Sequence, residues 1–189
     1  MNIPCRFSFV AVFAAKADQQ GNLKYGAQLL IPKDSPDTPA LLSQINAEVQ
    51  KAIQRGIEKG KITAQLAKSN KFKSPLRDGD EYYDEEPKAE REACRGHFFL
   101  NSSNTNPVGV VDRFGRPITD QVDFYSGCYG LANVSFYAYN KNGNAGVGCG
   151  LQNVMKKRDG DHLDSRVDAA TAFKDYVESP EEASNGDLE

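Results

Sequence analysis

Long apolar runs, paired cysteines and phosphate-gripping loops are all missing from this chain, and each absence removes a class of protein. Nothing in it approaches the roughly 18 apolar residues that a membrane-spanning helix requires, so no membrane association is expected. The opening MNIPCRFSFVAVFAAKA looks superficially like a signal peptide. However, its charge follows Cys5, and Arg6 to Phe13 alternates as a strand does. It is read as mature protein, kept in the cytoplasm. Cys5, Cys94, Cys128 and Cys149 form no Cys-x-x-Cys pair, and reduced, buried thiols are expected. Cys94 and His97 make a Cys-x-x-His half-site that Cys128 or Cys149 could complete, but the second close pair of a structural zinc site is missing. No cysteine is tied to His97 or His162 by a local motif, and the glycines between Gly143 and Gly150 lack the lysine and hydroxyl of a nucleotide loop. The carboxylates from Asp78 to Glu86 could hold Mg²⁺ in a nuclease, yet their density reads as a solvated loop. No catalytic residue, metal or cofactor is expected.

Basic residues are missing from one place in particular. None follows Lys174, while Asp175, Glu178, Glu181, Glu182, Asp187 and Glu189 do. Setting those six aside leaves 20 acidic against 23 basic side chains, so a body of +3 carries a tail of −6. Ser179, Pro180, Ser184, Asn185 and Gly186 complete a composition that cannot offset its own ordering entropy. The expected organisation is one domain over 1–174 and a disordered acidic tail over 175–189.

Within the body, Arg6–Ala14 and Tyr25–Ile31 read as a hairpin, closed by Pro32. A helix follows, with Thr38 as its cap, Pro39 at the first position and an apolar stripe of Leu41, Ile45, Val49 and Ile53, widened by Leu42 and Ala52. Gly56 and Gly60 are expected to weaken its end. Residues 61–96 form a long polar excursion, partly mobile. Strands return at His97–Asn101, Pro107–Val111, Cys128–Tyr139 and Ala145–Met155, with turns at Asp112–Pro117 and Asn140–Asn144. Short strands, glycine-rich turns and one inserted helix point to a mainly β fold, a small partly open barrel.

Alternation places Val134, Phe136 and Ala138 on the core face of the strongest strand and Ser135, Tyr137 and Tyr139 on the other. Two tyrosines so spaced make a platform on which bases stack without regard to identity. Lys71-Phe72-Lys73 with Arg77, Arg113-Phe114-Gly115-Arg116, Lys141 and Lys156 supply cations for phosphates. The candidate partner is single-stranded DNA, with the tail competing for the same groove. A structural or adaptor protein using this β surface for protein contacts, and a metal-dependent nuclease, are the alternatives; a homodimer is compatible with either binding role.

The stretches YGAQLLIPKDS (Tyr25–Ser35), HFFLN (His97–Asn101), RPITDQVDFYSGCYG (Arg116–Gly130) and VSFYAYNKNGNAGVGCGLQNVMKKRDGDHL (Val134–Leu163) resemble the tailed-phage single-stranded DNA-binding proteins. The resemblance runs from the first strand to about Phe173. It implies an OB-like fold related to the T7-type phage proteins and a role in protecting single strands during replication, recombination and repair in the host cytoplasm. From its charge and composition, the tail displaced by DNA is expected to recruit phage replication or recombination proteins. T7-type tails end in an aromatic residue, whereas this chain ends Asp187-Leu188-Glu189.

Overall fold

The period of two expected from the sequence is realised most fully in one strand. In β6 (Tyr129–Lys141) the even-numbered residues from Gly130 to Ala138 are buried and the odd ones face outward. The computed structural model describes residues 1–18, 21–141 and 143–163. Its other strands are β1 (Asn2–Ala17), β2 (Leu23–Pro32), β3 (Leu76–Asp78), β4 (His97–Asn104), β5 (Gly109–Val111) and β7 (Asn144–Arg158). The helices are α1 (Thr38–Glu58), α2 (Ala64–Ala67) and α3 (Gly79–Glu85), and a 3₁₀ turn spans Ala89–Cys94. None of the helices among the described residues is long and apolar enough to cross a membrane.

The expected β1–β2 hairpin forms, antiparallel, with Arg6 opposite Leu30. β2 pairs with β4, β1 with the start of β6, and β6 with β7, all antiparallel. A parallel contact of Ser102 and Ser103 on β4 with Cys149 and Gly150 on β7 closes the circuit. Five strands in the order β1-β2-β4-β7-β6 thus make a barrel, with β3 and β5 as short additions. This connectivity is that of an OB-like fold. Phe7, Leu29, Leu100, Phe124 and Leu151 lie fully buried inside it, and the rings of Phe7 and Phe124 meet at 4.8 Å. Each such side chain contributes roughly 1.5–3 kcal/mol by leaving water. One irregularity marks β1: between Ser8 and Ala11 it holds one more residue than β2, and Phe9 takes a left-handed φ of 48° while half-exposed. The amide of Val10 donates to Ser126 Oγ beside this bulge.

Helix α1 forms where its apolar period predicts, burying Ile45, Val49 and Ala52. Its ends correct the sequence reading. Thr38 is not the cap: Asp37 precedes the helix without a capping side-chain bond, and the Thr38 hydroxyl donates to the Pro32 carbonyl. Gly56 and Gly60 support the C-terminal end instead of weakening it. A β-carbon at Gly56 would lie 2.4 Å from that of Ala138, so glycine lets the helix approach β6. Gly60, at φ 65°, reverses the chain while Gly60 and Lys61 amides donate to the Ile57 and Gly56 carbonyls, a Schellman closure.

Residues 61–96 wrap the outer face of β2 and β4 with α2, β3, α3 and the 3₁₀ turn. Leu30, Cys94 and Phe99 form a second apolar cluster there, with Tyr82, Ala93 and Leu163 against it. Arg77 and Arg91 place guanidinium carbons 4.4 and 3.9 Å from the centre of the Tyr82 ring. Lys33 bonds the carboxylates of Asp78 and Asp80, tying α3 to the end of β2.

Candidate nucleic-acid interface

The outward face of the β6–β7 hairpin is unusual in what it omits. β7 alternates Gly146, Gly148 and Gly150 with buried Val147 and Cys149, so this stretch has no outward side chains of its own; Gly146 and Gly150 are covered by neighbouring groups and Gly148 is partly exposed. Register sets Tyr139 opposite Gly146, Tyr137 opposite Gly148 and Ser135 opposite Gly150. The Tyr137 ring lies over the glycine path: a β-carbon on Gly148 would fall 2.6 Å from Cζ and 2.8 Å from the hydroxyl of that ring. One on Gly146 would meet Lys73 first, 2.5 Å from its carbonyl oxygen and 2.8 Å from its Cβ, with the Tyr139 hydroxyl at 3.1 Å. Tyr137 is still 49% exposed, so one ring face is seated and the other meets solvent. Burial and the neighbouring Tyr137 phenol push the Tyr139 phenol above the usual range.

Cations from the excursion reach the same place. The Lys73 amide donates to the Ala145 carbonyl and the Val147 amide to the Lys73 carbonyl, which brings Lys71, Phe72 and Lys73 beside the hairpin. Lys71 and Lys73 are exposed, while Phe72 turns inward onto the core. A recess of about 400 Å³ along β6 is lined by Tyr137, Ala138, Tyr139, Asn140 and Lys61. Among the described residues, no carboxylate ion-pairs with Lys61, Lys71, Lys73 or Lys141.

The remaining sequence candidates sit elsewhere. Arg77 faces outward from β3 but stacks on Tyr82 and Phe99 and pairs with Glu85. Lys156 bonds Asp159 and the Asp123 carbonyl, roughly 26 Å along β7 from Gly148 at 3.3 Å per residue. Phe114, 67% exposed, stands between the guanidiniums of Arg113 and Arg116 in the turn beyond β5, beside that same distal end of β7. Arg116 is also paired with Asp112 at 2.7 Å. The acidic residues Asp175 to Glu189 lie outside the described residues. Lys61 and the three glycines were missed; the Gly-x-Gly-x-Gly alternation was the available signal, because it strips one strand face of side chains.

Metal ligation finds no assembled site among the described residues. Cys94 donates to Gln28 Oε1 in the outer cluster, His97 Nδ1 contacts the Arg95 carbonyl, and Cys128 and Cys149 lie across the sheet in the barrel core. All four thiols are free and buried. Burial pushes Cys149 to about 11 and Cys5 well above the usual thiol range.

Comparison with known proteins bears on this geometry. The fold is similar to that of the single-stranded DNA-binding protein of bacteriophage Enc34 in complex with ssDNA, with a TM-score of 0.70, 18% identity, and coverage of 86% of this chain and 88% of that one. The single-stranded DNA-binding protein gp2.5 of bacteriophage T7 superposes with a TM-score of 0.58 at 15% identity, over 89% of this chain and 96% of its own. In sequence, protein p50 of Acyrthosiphon pisum secondary endosymbiont phage 1 is 36% identical over 163 residues, 82% of this chain and 81% of that protein. The family profile described as Enterobacter phage Enc34, ssDNA-binding protein, matches residues 2–184. That is a family of DNA-binding proteins, not of enzymes, and this chain belongs to it.

Proposed function

We propose that this chain binds single-stranded DNA on the outer face of the β6–β7 hairpin, stacking bases on Tyr137 and Tyr139 and setting phosphates against Lys61, Lys71, Lys73 and Lys141. The observation that carries the reading is the seating of a half-exposed tyrosine ring over Gly148, beside lysines that have no carboxylate partner among the described residues. A ring held flat from below offers its upper face to any base, so recognition is sequence-tolerant. Arg113, Phe114 and Arg116 form a separate cation–aromatic cluster for strands long enough to reach it. The family, and the fold shared with proteins named for binding ssDNA, support a role in coating and protecting single strands during phage replication, recombination and repair. That role would be exercised in the cytoplasm of an infected host.

Titration of oligo-dT against duplex DNA at two salt concentrations tests this. Four lysine–phosphate contacts on a single strand give a log–log salt slope of about −2.8. Tyr137→Ala and Tyr139→Ala each remove stacking of about 1–3 kcal/mol, a loss of roughly 5- to 150-fold. Wild-type affinity in both variants would sink the platform. The acidic tail, −6 by sequence, acts in this proposal as a tethered competitor for the lysines that DNA displaces, leaving the tail to recruit replication or recombination partners. Removing the residues after Tyr176 then tightens oligo-dT binding, most at low salt; an unchanged affinity would reduce the tail to a solubility device.

A further inference from the structure

At the far end of β6 from the tyrosine platform lies a groove of about 440 Å³ that none of the binding residues above lines. Its walls include Pro4, Ile31, Pro32 and Leu41, and two guanidiniums stand in it, those of Arg6 and Arg158. Both sit on Tyr129, with guanidinium carbons 3.5 Å (Arg158) and 5.3 Å (Arg6) from the ring centre. Arg6 is aimed by backbone: its Nε donates to the Gly127 carbonyl at 3.1 Å and an Nη to the Asp161 carbonyl at 2.8 Å. Neither bond neutralises it. Among the described residues no carboxylate ion-pairs with Arg6 or Arg158, whereas Arg77, Arg91, Arg95 and Arg116 each have one. Among the described residues lining the groove, Asp37 is the one carboxylate, and it makes no ion pair with any of them.

Two guanidiniums stacked on one ring, without an ion-pair partner among the described residues and beside an apolar wall, call for an anion joined to an apolar ring. A guanidinium stacked on an aromatic can grip a phosphate by two bonds, a role that falls to Arg158, while Arg6, with Nε and one Nη on backbone carbonyls, offers its remaining Nη donors. The volume is that of a small-molecule site and exceeds what a phosphate alone fills, leaving room for a base and sugar. Tyr129 also belongs to the same outward row of β6 as Ser135, Tyr137 and Tyr139. At 3.3 Å per residue the row carries Tyr129 roughly 26 Å from Tyr137. We infer that the Arg6–Tyr129–Arg158 groove is a distal nucleotide subsite, holding a phosphate and base of a single strand that has already crossed the tyrosine platform. The inference rests on the reading of that platform as a DNA site. It makes this end of the barrel matter for long strands and not for short ones.

The test uses the full chain and fluorescence anisotropy with two labelled oligo-dT probes, of about 5 and about 15 nucleotides, within the range of site sizes of OB folds. Arg158→Ala, an exposed position whose loss leaves the core intact, is expected to weaken the long probe roughly tenfold and to flatten its salt slope by about 0.7. The short probe should change by less than about twofold. Tyr137→Ala should weaken both probes, which separates the two sites. Equal losses on both probes, or none on either, would overturn the subsite while leaving the platform standing if Tyr137→Ala still acts. Failure of either probe to bind the wild type would remove the platform reading itself, and the subsite with it. If Arg158→Ala leaves the long probe untouched but abolishes inhibition by a free peptide of the tail sequence, the groove belongs to acidic polypeptide and the nucleotide assignment falls.

Discussion

Replacing Gly148 by alanine adds one methyl group, and the structure says where it goes. The new β-carbon would lie 2.6 Å from Cζ, 2.8 Å from the hydroxyl and 2.9 Å from Cε2 of Tyr137. Contacts that short are not tolerated, and the atoms in the way belong to the outer end of a half-exposed side chain. The ring therefore swings off the strand while the ladder beneath it stays. Stability changes little: lost ring burial costs at most about 1 kcal/mol, and alanine in place of glycine in a strand returns about 0.5–1 kcal/mol of backbone entropy. Binding changes more, because a ring no longer seated loses stacking of about 1–3 kcal/mol, or roughly 5- to 150-fold in affinity. Thermal melting and oligo-dT anisotropy on the same preparation read the two separately. Gly56→Ala supplies the contrast: its β-carbon would meet that of Ala138 at 2.4 Å, between helix and sheet, where nothing can swing aside. Overpacking there costs about 1–3 kcal/mol and lowers the melting temperature. Wild-type affinity in Gly148→Ala alongside a loss in Tyr137→Ala would refute the claim that the glycine path orients the ring. A large drop in its melting temperature would make the contact a packing device.

Two further expectations concern regions away from DNA. Asp78 caps α3 by accepting from the Asp80 and Glu81 amides and also pairs with Lys33, whose hydrogen bond holds its carboxyl below the usual range. That contribution is complete above about pH 4 and disappears as pH falls through the depressed value. Lys33 is raised, its burial outweighed by the hydrogen bonds to Asp78 and Asp80, so its share persists through neutral pH and goes only as pH rises through the raised value. Asp78→Ala should cost about 1 kcal/mol locally and Asp78→Asn less. Hydrogen exchange of residues 79–96 would show it, and equal losses in the two variants would rule out capping as the larger part. Burial raises all four thiols, so the native protein should resist a thiol reagent at pH 8 and react fully once unfolded. Rapid labelling of Cys149 in the native state would contradict the closed barrel.

Strands announced themselves wherever one face met the core and the other met water. Val134, Phe136 and Ala138 could be assigned inward from period alone, as could the apolar stripe of α1, whereas β2 showed itself as a continuous apolar run after a Gly/Asn turn and buries Ala27 to Ile31 without alternation. Residues 61–96 were harder because their anchors are supplied by other elements. Leu30 and Phe99 lie on the outer face of β2 and β4, and only the closed barrel shows that this face needs a cover. The ends of α1 misled for a related reason: Thr38 meets Pro32 and Gly56 meets Ala138, contacts made by folding and not by helix propensity. The proposed binding face shows the limit most clearly. Alternating glycines and alternating tyrosines are both visible in the chain, but neither means much until the turn between Lys141 and Asn144 fixes which is opposite which. Slip the register by one residue and the strands present opposite faces to each other, with Tyr137 set beside Val147 or Cys149. A platform would then require one side chain to displace another from the core. The proposed site is therefore written in the pairing of the two strands, which sets Tyr137 beside Gly148 and Tyr139 beside Gly146.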